Sequence, residues 1–423
     1  MLSKRFKRHF NTWGILAIYA ACALAAGLTL PRFEDRLFPG LFTPMSVGAA
    51  TAIYSSIAAG MITLTSIVFS LGFVMVQFSA TAYSPRLVPW LARDPVMSHA
   101  LGIFTSTFLY AIAALAGVDR NGSGKVPFVS AWIVVVMLLA SVGILAVLIQ
   151  RIGLLQINRM LVFTGDQGRA TIETVYPPFN SSSVMESADT TDLRLTQTVL
   201  HRGSPCSIQA VDIAALVDLA TRSQAIIKMA AAVGDTVVES TPLLQVFGAR
   251  VPINEPDLRD HIELGAERTF EQDPKYALRL LVDIAIRALS PAINDPTTAV
   301  QSLDQIEDLL VRLGERRLEI GVFRDSTGTT RLIVPFPAWG DLLDLAFDEI
   351  CMCGANSMQV MRRMNALVAD LTVRLPQERR PDLEAWAARV KSTISRSFVS
   401  AEERAEALRE DRQGLGAPRV RTP

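Results

Sequence analysis

The sequence predicts a membrane α-helical protein with about four transmembrane helices, followed by a cytoplasmic α+β region. Two observations lead to this prediction. Long stretches of residues 11–158 are almost uncharged, whereas residues 159–423 have the charge density of an ordinary globular domain. A helix needs an apolar run of about 20 residues to cross a bilayer, and such runs occur only in the first part of the chain. We therefore assign residues 1–160 to a transmembrane domain.

The transmembrane domain is predicted to contain four spans, at about residues 13–30, 46–84, 97–118 and 127–155. The second is long: such a helix measures about 58 Å, against a hydrocarbon core of about 30 Å. We expect no Asp, Glu, Lys, Arg or His inside a span, which argues against an ion-coupled transporter or proton pump. Four cations within the first ten residues place both termini in the cytoplasm.

The second span carries a stripe of mostly polar or small side chains at seven-residue intervals, with further members three residues on. The stripe residues are Ser56, Thr63, Ser66, Ser70, Phe73 and Gln77. A period of 3.5 residues places all six on one side of a helix. They form either a packing seam, because small and hydroxyl side chains let membrane helices approach closely, or the lining of a pore between copies of the chain.

The second span ends at Ser84-Pro85-Arg86. Proline ends a helix, and an arginine suits the cytoplasmic boundary of the membrane. The simpler interpretation is an anchored helix end. The functional one places Ser84 and a ring of Arg86 at the inner mouth of a pore, where the arginines would disfavour cations.

The cytoplasmic region is predicted to begin with a mixed β subdomain at residues 161–255. Its Gly234-Asp235-x-Val237 turn and the later Pro242-Leu243 look like the small β-barrel of lipoyl and biotinyl domains. No lysine lies at a hairpin tip, so a structural or ligand-sensing barrel is expected rather than a carrier. Residues 256–399 are predicted to be mainly helical with a hairpin near 318–335, and residues 400–423 to be a disordered tail.

Six polar residues stand beside very apolar sequence in the helical subdomain: Arg268, Asp273, Asp283, Arg287, Asn294 and Asp295. One interpretation is local. Asp283 and Arg287 would pair along a helix, and Asp295 would cap the next helix, with Pro296 as its first residue. The other interpretation is a buried polar network that joins subunits or lines a ligand pocket.

Other classes of function lack support in the sequence. The four cysteines and four histidines are scattered, which argues against a metal site or a disulfide framework. No phosphate-binding loop or nucleophile motif is present, so we expect neither an enzyme nor a cofactor. The 41 basic residues are balanced by 41 acidic ones, so nucleic acid is not an expected partner.

Several motifs together resemble one bacterial family of predicted membrane proteins, that of the domain of unknown function 2254. The resemblance rests on residues 69–86, 201–203 and 234–235 and on the run from Asp283 to Thr298, DIAIRALSPAINDPTT. It covers nearly the whole chain. It implies the architecture and supplies no activity.

These observations favour a homo-oligomeric ion channel of the bacterial inner membrane, in contact with lipid and conducting small monovalent ions. The stripe would line the pore, with Phe73 as a hydrophobic constriction. Glu34, Asp35 and Asp119 in the outer loops would favour cations. The alternative is a non-conducting scaffold or sensor whose cytoplasmic domain binds a ligand or partner protein.

Overall fold

The computed structural model describes residues 12–37, 43–82, 95–119, 126–152, 157–179 and 193–416. The chain forms two compact units. The first comprises residues 6–156, and the second begins at Ile157 and includes the rest of the chain.

The first unit contains four helices, each with an apolar stretch long enough to cross a membrane. They are α1 (Thr12–Leu37), α2 (Val47–Ala82), α3 (Pro95–Leu115) and α4 (Phe128–Ile152). The prediction of four apolar helices is confirmed. The long second helix is also present, with 36 residues.

Helix α3 is the centre of this unit, because it packs against α1, α2 and α4. Two glycines allow α1 and α3 to approach closely. A Cβ at Gly27 of α1 would lie 2.6 Å from Ala113, and a Cβ at Gly102 of α3 would lie 2.8 Å from the ring of Tyr19. A small-residue packing seam of the kind common in membrane helices therefore joins α1 to α3.

The second unit begins with helix α5 (Ile157–Val175), and its strands form two sheets. The strands are β1 (Leu195–Leu200), β2 (Cys206–Val211), β3 (Ile226–Met229), β4 (Thr236–Val237), β5 (Pro242–Phe247), β6 (Ile262–Gly265), β7 (Val322–Arg324) and β8 (Thr330–Ile333). One sheet has the order β1-β5-β3-β8-β7, and the other β4-β2-β6. The expected barrel is not confirmed, since these are sheets rather than a closed barrel.

The predicted hairpin near residues 318–335 is present as β7 and β8, but it completes the five-stranded sheet. Strand β8 pairs in parallel with β3, matching Leu332 with Ile227. Strand β6 likewise pairs with β2 across the predicted boundary at residue 255. The structure therefore joins the two predicted cytoplasmic subdomains into one compact unit.

Further helices complete the second unit, and among them α8 packs against α5, α9 and α10. They are α6 (Ile213–Arg222), α7 (Glu255–Arg259), α8 (Pro274–Ala288), α9 (Pro296–Gly314), α10 (Trp339–Cys353), α11 (Met358–Arg374), a 3-10 turn at Gln377–Arg379, α12 (Arg380–Ser397) and α13 (Ala401–Ala407). Every α8 residue from Tyr276 to Ala288 is buried except Arg279, Asp283, Ile286 and Arg287.

The prediction of a disordered tail from residue 400 is wrong for most of that segment. Ser400 caps α13 by accepting a hydrogen bond from the Glu403 backbone N–H at 3.0 Å. Arg412 then binds both carboxylate oxygens of Asp370 on α11, at 2.7 and 3.0 Å. The high charge of this segment predicted disorder, but Arg412 instead forms an ion pair that attaches the segment to α11. Residues 417–423 lie outside the described part of the chain.

Candidate functional site: the polar stripe of α2 and the polar groups around it

Helix α2 has one face that packs within its own chain. Ala50, Tyr54, Ala58, Met61 and Val68 are each at most 6% exposed and lie at helical spacing. They contact the other helices of the unit, chiefly α3. At about 100° per residue, the predicted stripe lies on roughly the opposite side of α2 from this face.

All six stripe residues are exposed in the single chain: Ser56, Thr63, Ser66, Ser70, Phe73 and Gln77. Phe73 alone is 65% exposed. A shallow, open groove of about 340 Å³ runs past Ser66 and Ser70. The stripe is therefore not a packing seam between helices of the same chain.

Two of the stripe hydroxyls, on Thr63 and Ser66, are oriented by their own helix. Thr63 donates its hydroxyl hydrogen to the Ala59 carbonyl oxygen at 3.1 Å, and Ser66 donates to Ile62 at 3.0 Å. A hydroxyl has one hydrogen and two acceptor lone pairs. Because the hydrogen is used within the helix, the oxygen lone pairs remain available on the exposed side. Ser84 and Arg86, the predicted inner mouth, lie outside the described residues.

The expectation that no ionisable residue lies inside a span is wrong, because His99 falls within the predicted third span and Glu34 lies in the observed α1. Helix α1 continues through Pro31 to Leu37 instead of ending at Leu30. Glu34 is consequently buried, with 6% exposure, and is not an outer surface charge. His99 lies in α3, where its Nδ1 is 3.2 Å from the hydroxyl of Tyr19 on α1. The spanning helices do contain ionisable groups, so the argument against an ion-coupled transporter or proton pump no longer holds.

Glu34 caps the N-terminus of α4. Its Oε1 accepts a hydrogen bond from the Val129 N–H at 2.7 Å, and its Oε2 accepts from the Ser130 N–H at 3.2 Å and the Ser130 hydroxyl at 3.4 Å. The first N–H groups of a helix have no partners within the helix and carry partial positive charge, so they stabilise a carboxylate. The only signal in the sequence was an acidic residue directly after a span.

Among the six polar residues of the second unit, Arg268 and Asp273 form an ion pair. Arg268 Nε lies 2.8 Å from Asp273 Oδ2. Asp273 is only 2% exposed, and its burial raises the pKa of the carboxyl group although Arg268 opposes the shift. The other carboxylate oxygen, Oδ1, is buried without a hydrogen-bond partner.

Asp283 and Arg287 have different environments from those predicted. Asp283 Oδ1 accepts from Arg279 Nε at 2.7 Å, one turn earlier in α8. Arg279 also reaches α10, where its two terminal nitrogens each lie 2.7 Å from an oxygen of Glu349. The Glu349 carboxylate and Asp283 raise the pKa of Arg279. The Nε of Arg287 is buried and has no hydrogen-bond partner.

Asn294 and Asp295 form the predicted turn and cap, so the local interpretation is confirmed for them. Asn294 has a left-handed φ of 49°. Asp295 accepts from the Thr298 N–H at 3.1 Å, with Pro296 at the start of α9. Asp273 precedes α8 and Asn294 follows it, about 21 Å of helix apart at 1.5 Å per residue. The six residues thus occupy the start, middle and far end of α8.

Four apolar helices of spanning length and a large α+β unit define the chain as a helical membrane protein. Within the described parts of the chain, no group of three His, Cys, Asp or Glu residues is arranged to hold a metal ion. The chain belongs to the family described as "Predicted membrane protein (DUF2254)", whose model matches residues 9–370.

Proteins of mycobacteria are similar to this chain along almost its full length. The uncharacterized proteins Mb1321c of Mycobacterium bovis and Rv1290c of Mycobacterium tuberculosis are each 26% identical to it over 412 residues. Each alignment covers 94% of this chain and 78% of the mycobacterial protein. No solved structure matches the chain.

Proposed function

We propose that the protein is a homo-oligomeric ion channel of the bacterial inner membrane, in which copies of α2 surround a pore. The position of the stripe supports this most directly. Its six residues lie roughly opposite the face by which α2 packs on its own chain and are exposed in the single chain, so this side of α2 can face other copies. In an assembly around an axis, that side of α2 faces inward and forms the wall.

The lining suits a small monovalent cation. Thr63 and Ser66 donate their hydrogens to backbone carbonyls, which leaves oxygen lone pairs for an ion in the pore. Neutral oxygens can replace part of the hydration shell of such an ion. A divalent cation would be expected to need carboxylate ligands, and the six stripe residues include none.

Phe73 provides the constriction in this proposal. It lies between Ser70 and Gln77 on the stripe, and its ring projects from the helix with 65% of its surface exposed. A ring of phenylalanines narrows a pore with apolar surface, and such constrictions close a pore by excluding water. The second unit, on the cytoplasmic side, would assemble or gate the channel.

Single-channel recording from the purified full-length protein in planar bilayers tests the proposal. We expect unitary currents. Gln77→Glu should shift the reversal potential in a KCl gradient toward the equilibrium potential of K⁺, because it adds a ring of negative charge. Phe69→Ala is the control, since Phe69 is exposed on α2 but lies off the stripe and outside the groove that passes Ser66 and Ser70.

A reversal potential that is the same in Gln77→Glu and the wild type would remove Gln77 from the pore wall. Silence of all variants across voltage, salt and membrane tension would favour the alternative function, a membrane scaffold or sensor that binds a ligand or partner through its second unit.

A further inference from the structure

Arg287, in the last turn of α8, has no hydrogen-bond or ion-pair partner among the described residues, and its Nε is buried. Arg363 and Arg379 also have a buried nitrogen without a partner, but each of them is bound through its other nitrogens. A cation near the end of a helix complements the helix dipole, which explains the charge of Arg287 but not the unpaired nitrogen. Buried donors are almost always paired, so Arg287 indicates an acceptor that the described residues do not provide.

The α8–α9 connection, residues 290–295, presents an exposed apolar side chain close to Arg287. The Ser290 N–H donates to the Arg287 carbonyl oxygen at 3.1 Å, and Ile293 is 45% exposed. The connection is held in one conformation, because the N–H groups of Ile293 and Asn294 both donate to the Ser290 carbonyl oxygen, at 3.1 and 2.9 Å. A preformed loop loses little conformational entropy on binding, and arginine is enriched at the centres of protein interfaces.

A surface that fits this one must place an unpaired carboxylate beside an exposed apolar side chain. Val399 is the most exposed large apolar side chain in the described part of the chain, at 90%, and Glu402 follows it three residues later. Glu402 is exposed, and none of the described residues forms an ion pair with it. Val399 and Glu402 therefore offer an apolar contact for Ile293 and a carboxylate for Arg287.

The other highly exposed apolar side chains described in the second unit do not meet this requirement. They are between 65% and 81% exposed: Val251, Met352, Val373 and Leu415. Every acidic residue within four positions of them already binds an arginine or backbone N–H groups. Charge complementarity thus favours Val399 and Glu402.

We infer that Arg287 and the α8–α9 connection of one copy bind Val399 and Glu402 of the next copy. Arg287 pairs with the Glu402 carboxylate, because a guanidinium binds a carboxylate with two parallel hydrogen bonds, and Ile293 packs against Val399. The two surfaces differ, so the contact is heterologous, and a heterologous contact repeated around an axis closes into a ring. The inferred contact rests on the proposed homo-oligomer but not on ion conduction.

Cross-linking of the full-length protein in membranes tests the contact. The variant that carries both Ile293→Cys and Val399→Cys should form a ladder of linked chains with a short bis-maleimide, because each copy is joined to the next. The two single-cysteine variants are the controls and should link no more than the wild type, whose native cysteines set the background. Absence of a ladder, or equal linkage in a single-cysteine variant, would overturn the heterologous contact.

Charge reversal tests the ion pair through the subunit number of the purified full-length protein, measured by light scattering. Arg287→Glu and Glu402→Arg should each lower it, and the combined variant should restore it. Arg374→Glu is the matched control, because Arg374 is an exposed arginine in the last turn of another helix, α11. Its subunit number should equal that of the wild type. A combined variant that stays as dissociated as the single variants would overturn the ion pair, as would single variants that stay fully assembled.

The same proteins in planar bilayers separate this contact from the proposed channel. A ladder of linked chains without unitary currents would keep the contact and argue against the pore. Unitary currents from a protein that forms no ladder would keep the channel and overturn the contact.

Discussion

Gly234 shows how a single residue can be fixed by a distant partner. Its φ is +88°, and a Cβ there would lie 2.1 Å from Oδ2 of Asp273, the oxygen that pairs with Arg268. Only glycine combines this backbone conformation with so close an approach. The Gly234-Asp235 motif is thus explained by the packing of its turn on a buried ion pair, and no carrier function is needed to account for it.

We predict that Gly234→Ala destabilises the second unit more than Gly203→Ala. Gly203 also has a positive φ, +117°, but open space surrounds its Cβ position. Gly203→Ala therefore has only the left-handed conformation to overcome, at about 1–2 kcal/mol. Gly234→Ala must also displace Asp273 from Arg268, which adds about 1–3 kcal/mol. Thermal unfolding of the full chain measures both, and equal losses would show that Asp273 moves aside without cost.

At the scale of an element, the start of α9 depends on one capping side chain. Asp295 accepts hydrogen bonds from both the backbone N–H and the hydroxyl of Thr298, at 3.1 and 2.6 Å. The first of these bonds pairs a backbone N–H that the helix itself leaves without a partner. Helix α9 packs against α5, α8 and α11, so its first turn fixes the end of the α8–α9 connection.

We predict that Asp295→Ala lowers the stability of the second unit by about 1 kcal/mol, while Asp295→Asn changes it by only a few tenths, because asparagine caps about as well. The thermal midpoint of the full chain is the readout. Ser400→Ala is a control for the loss of a cap on α13, which lies near the C-terminus. Should the alanine and asparagine variants unfold together, the charge of Asp295 rather than its cap geometry would matter.

The sequence was informative where the determining interactions are local. Apolar runs predicted the four spans, and an Asp-Pro pair predicted the start of α9. The stripe also followed from spacing alone. Interactions between distant residues could not be predicted in this way. Glu34 meets Ser130, 96 positions away, and strand β3 pairs with β8, about 100 positions away. A barrel motif of a few residues carries no information about such partners.

At the scale of the whole molecule, α2 has two sides with different partners. One side is buried against its own chain, and the other presents hydroxyls and Phe73 outward. An outward side of a membrane helix faces lipid or another protein chain. The Thr63 and Ser66 hydroxyls do not decide between these environments, because their hydrogens are already bonded to the helix backbone. Access by water is the property that separates a pore from a lipid-facing surface.

Ser70 and Phe69 allow a matched test of that property, because they are adjacent in α2, and their side chains point about 100° apart at nearly the same depth. Both are exposed in the single chain, Phe69 at 68%, and Phe69 lies outside the groove that passes Ser66 and Ser70. In membranes that hold the assembled protein, we predict that a charged thiol reagent modifies Ser70→Cys and leaves Phe69→Cys unmodified, after subtraction of labelling of the native cysteines. A pore supplies water to one side of the helix only, and the reagent cannot enter lipid. Equal labelling of both positions would indicate that α2 is generally hydrated. Labelling of neither would place the stripe against lipid or in a dry interface between copies. That result would contradict the ion-channel proposal and favour the non-conducting scaffold or sensor.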